Sequence, residues 1–203
     1  WCIPGDFSSA AFWMAAAAGR EGCEVRLTNV GLNPGRTAFI DVLRRMGADV
    51  AIEPAATEGW EPRGDVVVRG ARLRGIRVAG ADIPNMIDEL PLVAVLGALA
   101  EGTTEIRDAA ELRVKESDRI AAMVAGLAAM RVSARELADG LEVNGGGVRG
   151  GVEIDSRGDH RVAMAFAVLA LHADEAVTLH DVACVATSYP SFWEDLRRLS
   201  SGG

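Results

Sequence analysis

The sequence predicts an α/β domain (α+β in its mixed pairing) built from one unit, β-α-β-α-β-β, used three times. Three segments, GDFSSAAFWMAAAAG, IDELPLVAVLGALAEG and GDHRVAMAFAVLALH, each set an aspartate (Asp6, Asp88, Asp159) ahead of a helical run. Apolar residues follow four and seven places on, as Ala10 and Trp13, Leu92 and Val95, Ala163 and Phe166, the spacing of one helix face. A short alternating stretch comes next in every copy, EVRLTN, TTEIRD or AVTLHD, ending at Asn29, Asp108 or Asp181. Such alternation reads as a half-buried strand. Similarity at a fixed period marks one supersecondary unit reused. The approximate units are 1–79, 80–150 and 151–203, within one domain over 1–203.

Taken in order, the first unit continues into a second helix, RTAFIDVLRRMGA, and the strand-like runs ADVAIEP and DVVVRG. In the second unit Pro91 falls in the first turn after Asp88, where proline is tolerated. There the second helix is ESDRIAAMVAGLAAM and the strands lie in SARELADGLEV; in the third unit the second helix is PSFWEDLRRLS. Aspartate is among the best N-caps, so the structural reading makes all three leading aspartates caps. If equivalent helices aim their N-termini at one pole, that pole offers free N–H groups and partial positive charge to phosphate or carboxylate.

With 203 residues, 49% of them hydrophobic, the chain can bury roughly 70% of the surface that its unfolded form exposes. Aromatics are only 5%, so Ala, Val and Leu fill the core. A net charge of −8 argues against nucleic-acid or membrane-surface binding. Cys2, Cys23 and Cys184 are odd in number and lack CxxC spacing, so they are expected as free thiols in a reducing, cytoplasmic setting, with neither disulfide nor metal. No apolar run is long enough to span a bilayer. No signal peptide is recognisable. The chain opens on Trp1 inside a patterned segment, as a piece of a longer protein does.

GGGVRG (145–150) matches GxGxxG but leads into VEIDS rather than a helix, so it reads as a turn, and NPGRT (33–37) reads as a loop before a helix. His172 and His180 have no metal-ligand neighbour at suitable spacing and read as structural or exposed. GDHR is different, because it puts His160 and Arg161 in the first turn of the third unit's helix. Their alternatives are a surface role or an anionic pocket shared with the second unit.

ELRVKESDR (111–119) carries the chain's only lysine; the other twenty of the 21 Lys and Arg residues are arginine. Arginine is never deprotonated in proteins, whereas a lysine amine can be tuned to give and take a proton. If one helix holds Lys115, Glu116 and Arg119, the two cations form a like-charge i,i+4 pair. Glu116 and Asp118 would offset it in a salt-bridged helix start. An anionic ligand between the cations would offset it better, with arginine's fork matching a carboxylate.

IPGDFSSAAFW, NVGLNPGRTAFIDVLRRMGA, IDELPLVAVLGALAEGTTEIRDAAELRVKESDRI, GDHRVAMAFAV and CVATSYPSFWEDL together resemble the C-terminal half of the EPSP synthase (3-phosphoshikimate 1-carboxyvinyltransferase) family. That resemblance implies two similar domains, each an inside-out α/β barrel of three βαβαββ units with helices inside and sheets outside. It implies transfer of the enolpyruvyl group of phosphoenolpyruvate to the 5-hydroxyl of shikimate 3-phosphate, with release of phosphate and no cofactor. By motif, Asp88 matches the residue that contacts the shikimate hydroxyls and is a candidate base; Lys115 matches the proton shuttle, and Glu116 the proton donor at the methylene carbon. Arg119 and Arg161 match the arginines that grip phosphoenolpyruvate, with His160 beside them.

Two positions depart from some members: Thr187 stands where a lysine contacts phosphoenolpyruvate, and Glu111 where an asparagine lies near shikimate. Either departure bears on affinity and on sensitivity to glyphosate, the family's inhibitor. The family's N-terminal Lys-Ser and Arg contacts are absent, so this chain is expected to fold but to turn over little without that partner domain. An apolar edge left uncovered would favour self-association. The rival readings are a relative that transfers enolpyruvate to UDP-N-acetylglucosamine and a non-catalytic anion-binding module.

Overall fold

The structure, a computed structural model, describes residues 3–54 and 61–200, so Cys2 lies outside the described residues. In chain order the elements are α1 (Phe7–Ala18), β1 (Glu24–Gly31), α2 (Ala38–Met46), β2 (Asp49–Pro54), β3 (Arg63–Arg69), β4 (Arg77–Val78), α3 (Leu90–Leu99) and β5 (Thr103–Ile106). Then come α4 (Arg119–Ala129), β6 (Ser133–Leu137), β7 (Gly140–Asn144), β8 (Val152–Asp155), α5 (His160–Ala170), β9 (Val177–His180), α6 (Val185–Ser188) and α7 (Phe192–Ser200). Short 3₁₀ turns at Ile87–Glu89 and Ala110–Val114 lead toward α3 and α4.

A helix apolar on every side cannot rest at a surface. Nine of the ten residues of α3 are buried, as are ten of the twelve in α1, and α1, α3 and α5 pack pairwise against one another. By contrast α2 buries one stripe, Phe39, Ile40, Val42, Leu43 and Met46, and keeps Asp41, Arg44 and Arg45 outward. The sheets enclose this helical centre. β1, β3 and β2 form an antiparallel sheet in that order; β4, β5, β7 and β6 form the second, with β4 parallel to β5; β8 and β9 pair in parallel. The first unit carries the counterpart of that parallel pairing as the Gly5–Val30 bridge. β4 pairs inside the second sheet, which places the second unit's first strand ahead of residue 79.

The repeat extends to single dihedral angles. Asn29, Asp108 and Asp181 all adopt the left-handed conformation, with φ of 54°, 58° and 55°; Asp108 and Asp181 follow their strands, whereas Asn29 sits at a register shift inside β1, which runs on to Gly31 rather than ending there. Asn and Asp tolerate it better than other non-glycine residues because their short polar side chains bond locally. The Asp108 carboxylate is used at longer range, accepting from Gly80 N, 28 residues earlier, at 2.9 Å.

Small residues set how closely the inner helices approach. A Cβ on Gly126 of α4 would stand 2.2 Å from the Phe166 ring of α5. Gly126→Ala is therefore expected to destabilise the chain by about 1–3 kcal/mol through overpacking. At an exposed helix position the same change would stabilise by about 1 kcal/mol. The denaturant midpoint checks it, and a raised midpoint sinks the close-packing account.

Candidate active site

Hydrogen bonds across the helix N-termini establish a common pole. Ser8 in the first turn of α1 donates to Glu89, ahead of α3, at 2.5 Å, and Arg161 of α5 donates to the Asp88 carbonyl at 3.2 Å. Two leading aspartates are caps: Asp6 accepts from Ser9 N, and Asp159 from Arg161 N and Val162 N. Asp88 is not one. It sits in the 3₁₀ turn, α3 has no side-chain cap, and the carboxylate is left free to face two guanidiniums, Arg119 at 3.4 Å and Arg161 at 3.6 Å.

Lys115 does not share a helix with Arg119. It ends the Ala110–Val114 turn in extended conformation, and α4 begins only at Arg119, capped by Asp118 through Ala121 N at 3.0 Å. Asp118 also accepts from Arg113, whose guanidinium bonds Glu136 and the carbonyls of Leu137 and Ala138. That anchor turns the chain sharply before the helix. The expected like-charge pair on one face is thus replaced by a lysine on the approach and an arginine inside. Lys115 Nζ lies 2.5 Å from Glu111, so the departing residue Glu111 is its ion-pair partner.

Arg119 is the centre of the cluster and only 1% exposed. Its Nε donates to Asp159 at 2.8 Å, its Nη2 to Glu116 at 2.5 Å, and its Nη1 faces Asp88. A buried guanidinium is tolerable because its donors point at carboxylates. Burial works against ionisation of Asp159, but the Arg119 hydrogen bond and charge, with the α5 N–H groups, hold its carboxyl below the usual range. Ser117 adds a hydrogen bond to Asp159 at 3.1 Å. His160, with Nδ1 4.0 Å from Glu116, is pushed below the ordinary histidine range by burial and by Arg161.

The structure therefore gathers Asp88, Glu116, Arg119, His160 and Arg161 at one pole, with Lys115 on the turn that delivers Glu116. Thr187 makes a local bond to the Cys184 carbonyl. Sequence reasoning passed over Ser8, Arg36 and Glu89. Glu89 lies one residue from Asp88 and is 1% exposed; Arg36, in the loop NPGRT, donates to Ser8 Oγ at 3.2 Å. A pocket of about 160 Å³ is lined by Arg36, Asp88 and Glu89 among others. A larger one, about 510 Å³, lies toward the other end of α1 beside Trp13, Arg20 and His172 and contains none of these residues. No group of three His, Cys, Asp or Glu among the described residues is placed to hold a metal ion, and no described helix is long and apolar enough to cross a membrane.

Asp159→Asn leaves buried Arg119 short of a charged partner, which is expected to cost about 3 kcal/mol at neutral pH. A carboxyl held low stabilises the fold above its unfolded value, about pH 4, and loses that contribution as pH falls further. Urea titrations should show the wild-type advantage shrinking below about pH 4. A constant gap between the two proteins across that range would refute the pairing.

Comparison with known proteins identifies the family. The family pattern described as EPSP synthase (3-phosphoshikimate 1-carboxyvinyltransferase) matches residues 1–196. A 3-phosphoshikimate 1-carboxyvinyltransferase of Salinibacter ruber is 49% identical over 201 residues, covering 98% of this chain and 47% of that protein. One from Synechococcus sp. (strain JA-3-3Ab) is 52% identical over 197 residues, covering 97% and 44%. The solved EPSP synthase of Acinetobacter baumannii superposes with a TM-score of 0.92 at 42% identity, over 97% of this chain and 46% of that one. An enolpyruvyl transferase from Streptomyces tendae shares the fold, with a TM-score of 0.75 at 24% identity. This chain spans about half the length of the curated relatives it matches. With the family pattern over nearly its whole length and relatives about half identical to it, the chain belongs to the EPSP synthase family.

Proposed function

We propose that this chain supplies the C-terminal half of a catalytic centre that transfers enolpyruvate from phosphoenolpyruvate to the 5-hydroxyl of shikimate 3-phosphate. The observation that carries the reading is the junction at Asp88, where a carboxylate stands between Arg119 and Arg161, while Arg119 also holds Glu116 and Lys115 directly precedes Glu116 on the chain. Clustered acid, base and cations exceed what a passive anion site needs. The opposite wall and its cations come from the N-terminal domain of the full enzyme. The setting is cytoplasmic, and neither nucleic acid nor membrane takes part.

The chemistry follows from the positions. Asp88 accepts the proton of the attacking hydroxyl, and the oxygen bonds to C2 of phosphoenolpyruvate. Glu116 supplies a proton to C3, giving a tetrahedral intermediate that still carries phosphate. Loss of a proton from C3 and cleavage of the C2–O bond to phosphate then regenerate the double bond. Arg161 and Arg119 hold the anionic donor. Arg119 is enclosed by its own carboxylates, of which Glu116 is the exposed one, its side chain 48% accessible. An arriving carboxylate exchanges with Glu116 on Nη2, and a carboxylate set free beside an anion favours its protonated form. Preorganised charge supplies the largest share of the rate. Lys115, released from Glu111 by the substrate phosphate, relays the hydroxyl proton to Asp88, giving up its own proton as it takes that one. An arginine there could hold the anion but could not exchange the proton.

Phosphate release from the two substrates tests this on the chain alone and after addition of the N-terminal half of the Salinibacter ruber relative. Activity is expected only in the mixture, falling by about 100-fold or more with Lys115→Arg. Turnover by the chain alone would overturn the half-site reading. Undiminished turnover in the variant would remove the lysine from the chemistry.

A further inference from the structure

The carboxyl groups at the pole are unequally matched with cations. Asp88, Glu89, Glu116 and Asp159 surround the two guanidiniums of Arg119 and Arg161. Asp159 and Glu116 receive direct hydrogen bonds from Arg119, and Asp88 lies against both guanidiniums. Glu89 does not share that arrangement. Among the described residues its carboxylate has one hydrogen bond, from the neutral Ser8 hydroxyl; Arg161 stops at 3.7 Å, and the residue is 1% exposed. The charged groups facing it are Arg161, Asp88 and, behind Ser8, Arg36.

A further anion seated on Arg161 adds negative charge where carboxylates already outnumber guanidiniums. Opposing charge in a buried setting is relieved most cheaply by protonating the least well-paired acid. Ser8 serves either state of that acid, since a hydroxyl both donates and accepts. We propose that Glu89 is a proton-linked positioning residue: an anion binding to Arg161 is taken up together with a proton from solvent that settles on the Glu89 carboxyl. With Glu89 ionised, its charge competes with the ligand for Arg161; with Glu89 neutral, the guanidinium belongs to the ligand. Burial, opposed by Ser8 and Arg161, already raises the Glu89 carboxyl above the usual glutamate range in the unliganded chain. This inference rests on the reading of Arg161 as an anion-binding residue and adds the protonation coupled to it.

The test titrates this chain with sulfate, which does not itself change charge near neutral pH. Calorimetry in two buffers of different ionisation enthalpy counts the protons taken up per sulfate. A fractional uptake is expected on the alkaline side of the ordinary glutamate range, with sulfate affinity falling as pH rises there. His160, the other nearby group able to gain a proton, is separated by its own variant: uptake should persist in His160→Gln and vanish in Glu89→Gln. The Glu89→Gln protein should keep its affinity nearly constant over the same range. Ser8→Ala, which strips the ionised carboxyl of its donor, should move the uptake to higher pH. Carboxyl ¹³C shifts of the wild-type chain read the Glu89 proton directly and stand even if a variant misfolds. Sulfate binding without proton uptake, or uptake lost only with His160→Gln, overturns the inference while leaving the anion site intact. No sulfate binding at all overturns the anion site and the inference together.

Discussion

Everything at the functional pole depends on one buried guanidinium. Arg119 opens α4, yet its side chain reaches inward to Asp159 on α5 and Asp88 ahead of α3. Each carboxylate also does other work: Asp159 caps α5, and Asp88 receives Arg161. Three of the inner elements are thereby joined through one charge. A pair of this kind contributes little net stability over an apolar replacement, because both partners forfeit hydration. Its contribution is to geometry. The first turns of α3, α4 and α5 cannot shift independently without leaving a charge unpaired.

The routes into that pole come from the repeat. Asn29, Asp108 and Asp181 adopt the same left-handed conformation at matching places in the three units, Asn29 at a register shift inside β1 and the two aspartates just past β5 and β9. In the second unit Asp108 then feeds the turn that carries Lys115, and Arg113 ties that turn to β6 and the loop after it. Chemistry-bearing side chains thus stand on short, braced connections between regular elements. Scaffold and loop divide the labour in the way functional sites commonly do.

The helices, the strands and the threefold unit were legible in the sequence because periodicity reports burial, and these inner helices are buried along almost their whole length. The candidate site residues Asp88, Lys115, Glu116, Arg119, His160 and Arg161 were named through motifs, since they stand in segments that resemble a known family. What local reasoning mistook was the work of each residue. Asp88 has the sequence look of a cap but faces cations instead, because a 3₁₀ turn intervenes before α3. Lys115 has helical spacing to Arg119 but sits outside the helix, because Asp118 caps it later. Ser8, Arg36 and Glu89 were invisible for a different reason. Their partners are 81 and 28 residues away along the chain, and no local pattern encodes such meetings.

The lone lysine has a consequence beyond proton transfer. Lys115 closes the bracing turn between β5 and α4 and is partly accessible, paired with Glu111. A protease specific for lysine has one place to cut in the whole sequence, and that place lies on the connection that presents the charged cluster. Resistance to such a protease therefore reports the order of this single turn, and amine-directed reagents find one side-chain target at the same spot. Few domains of this size carry so local a chemical reporter at the centre of their proposed chemistry.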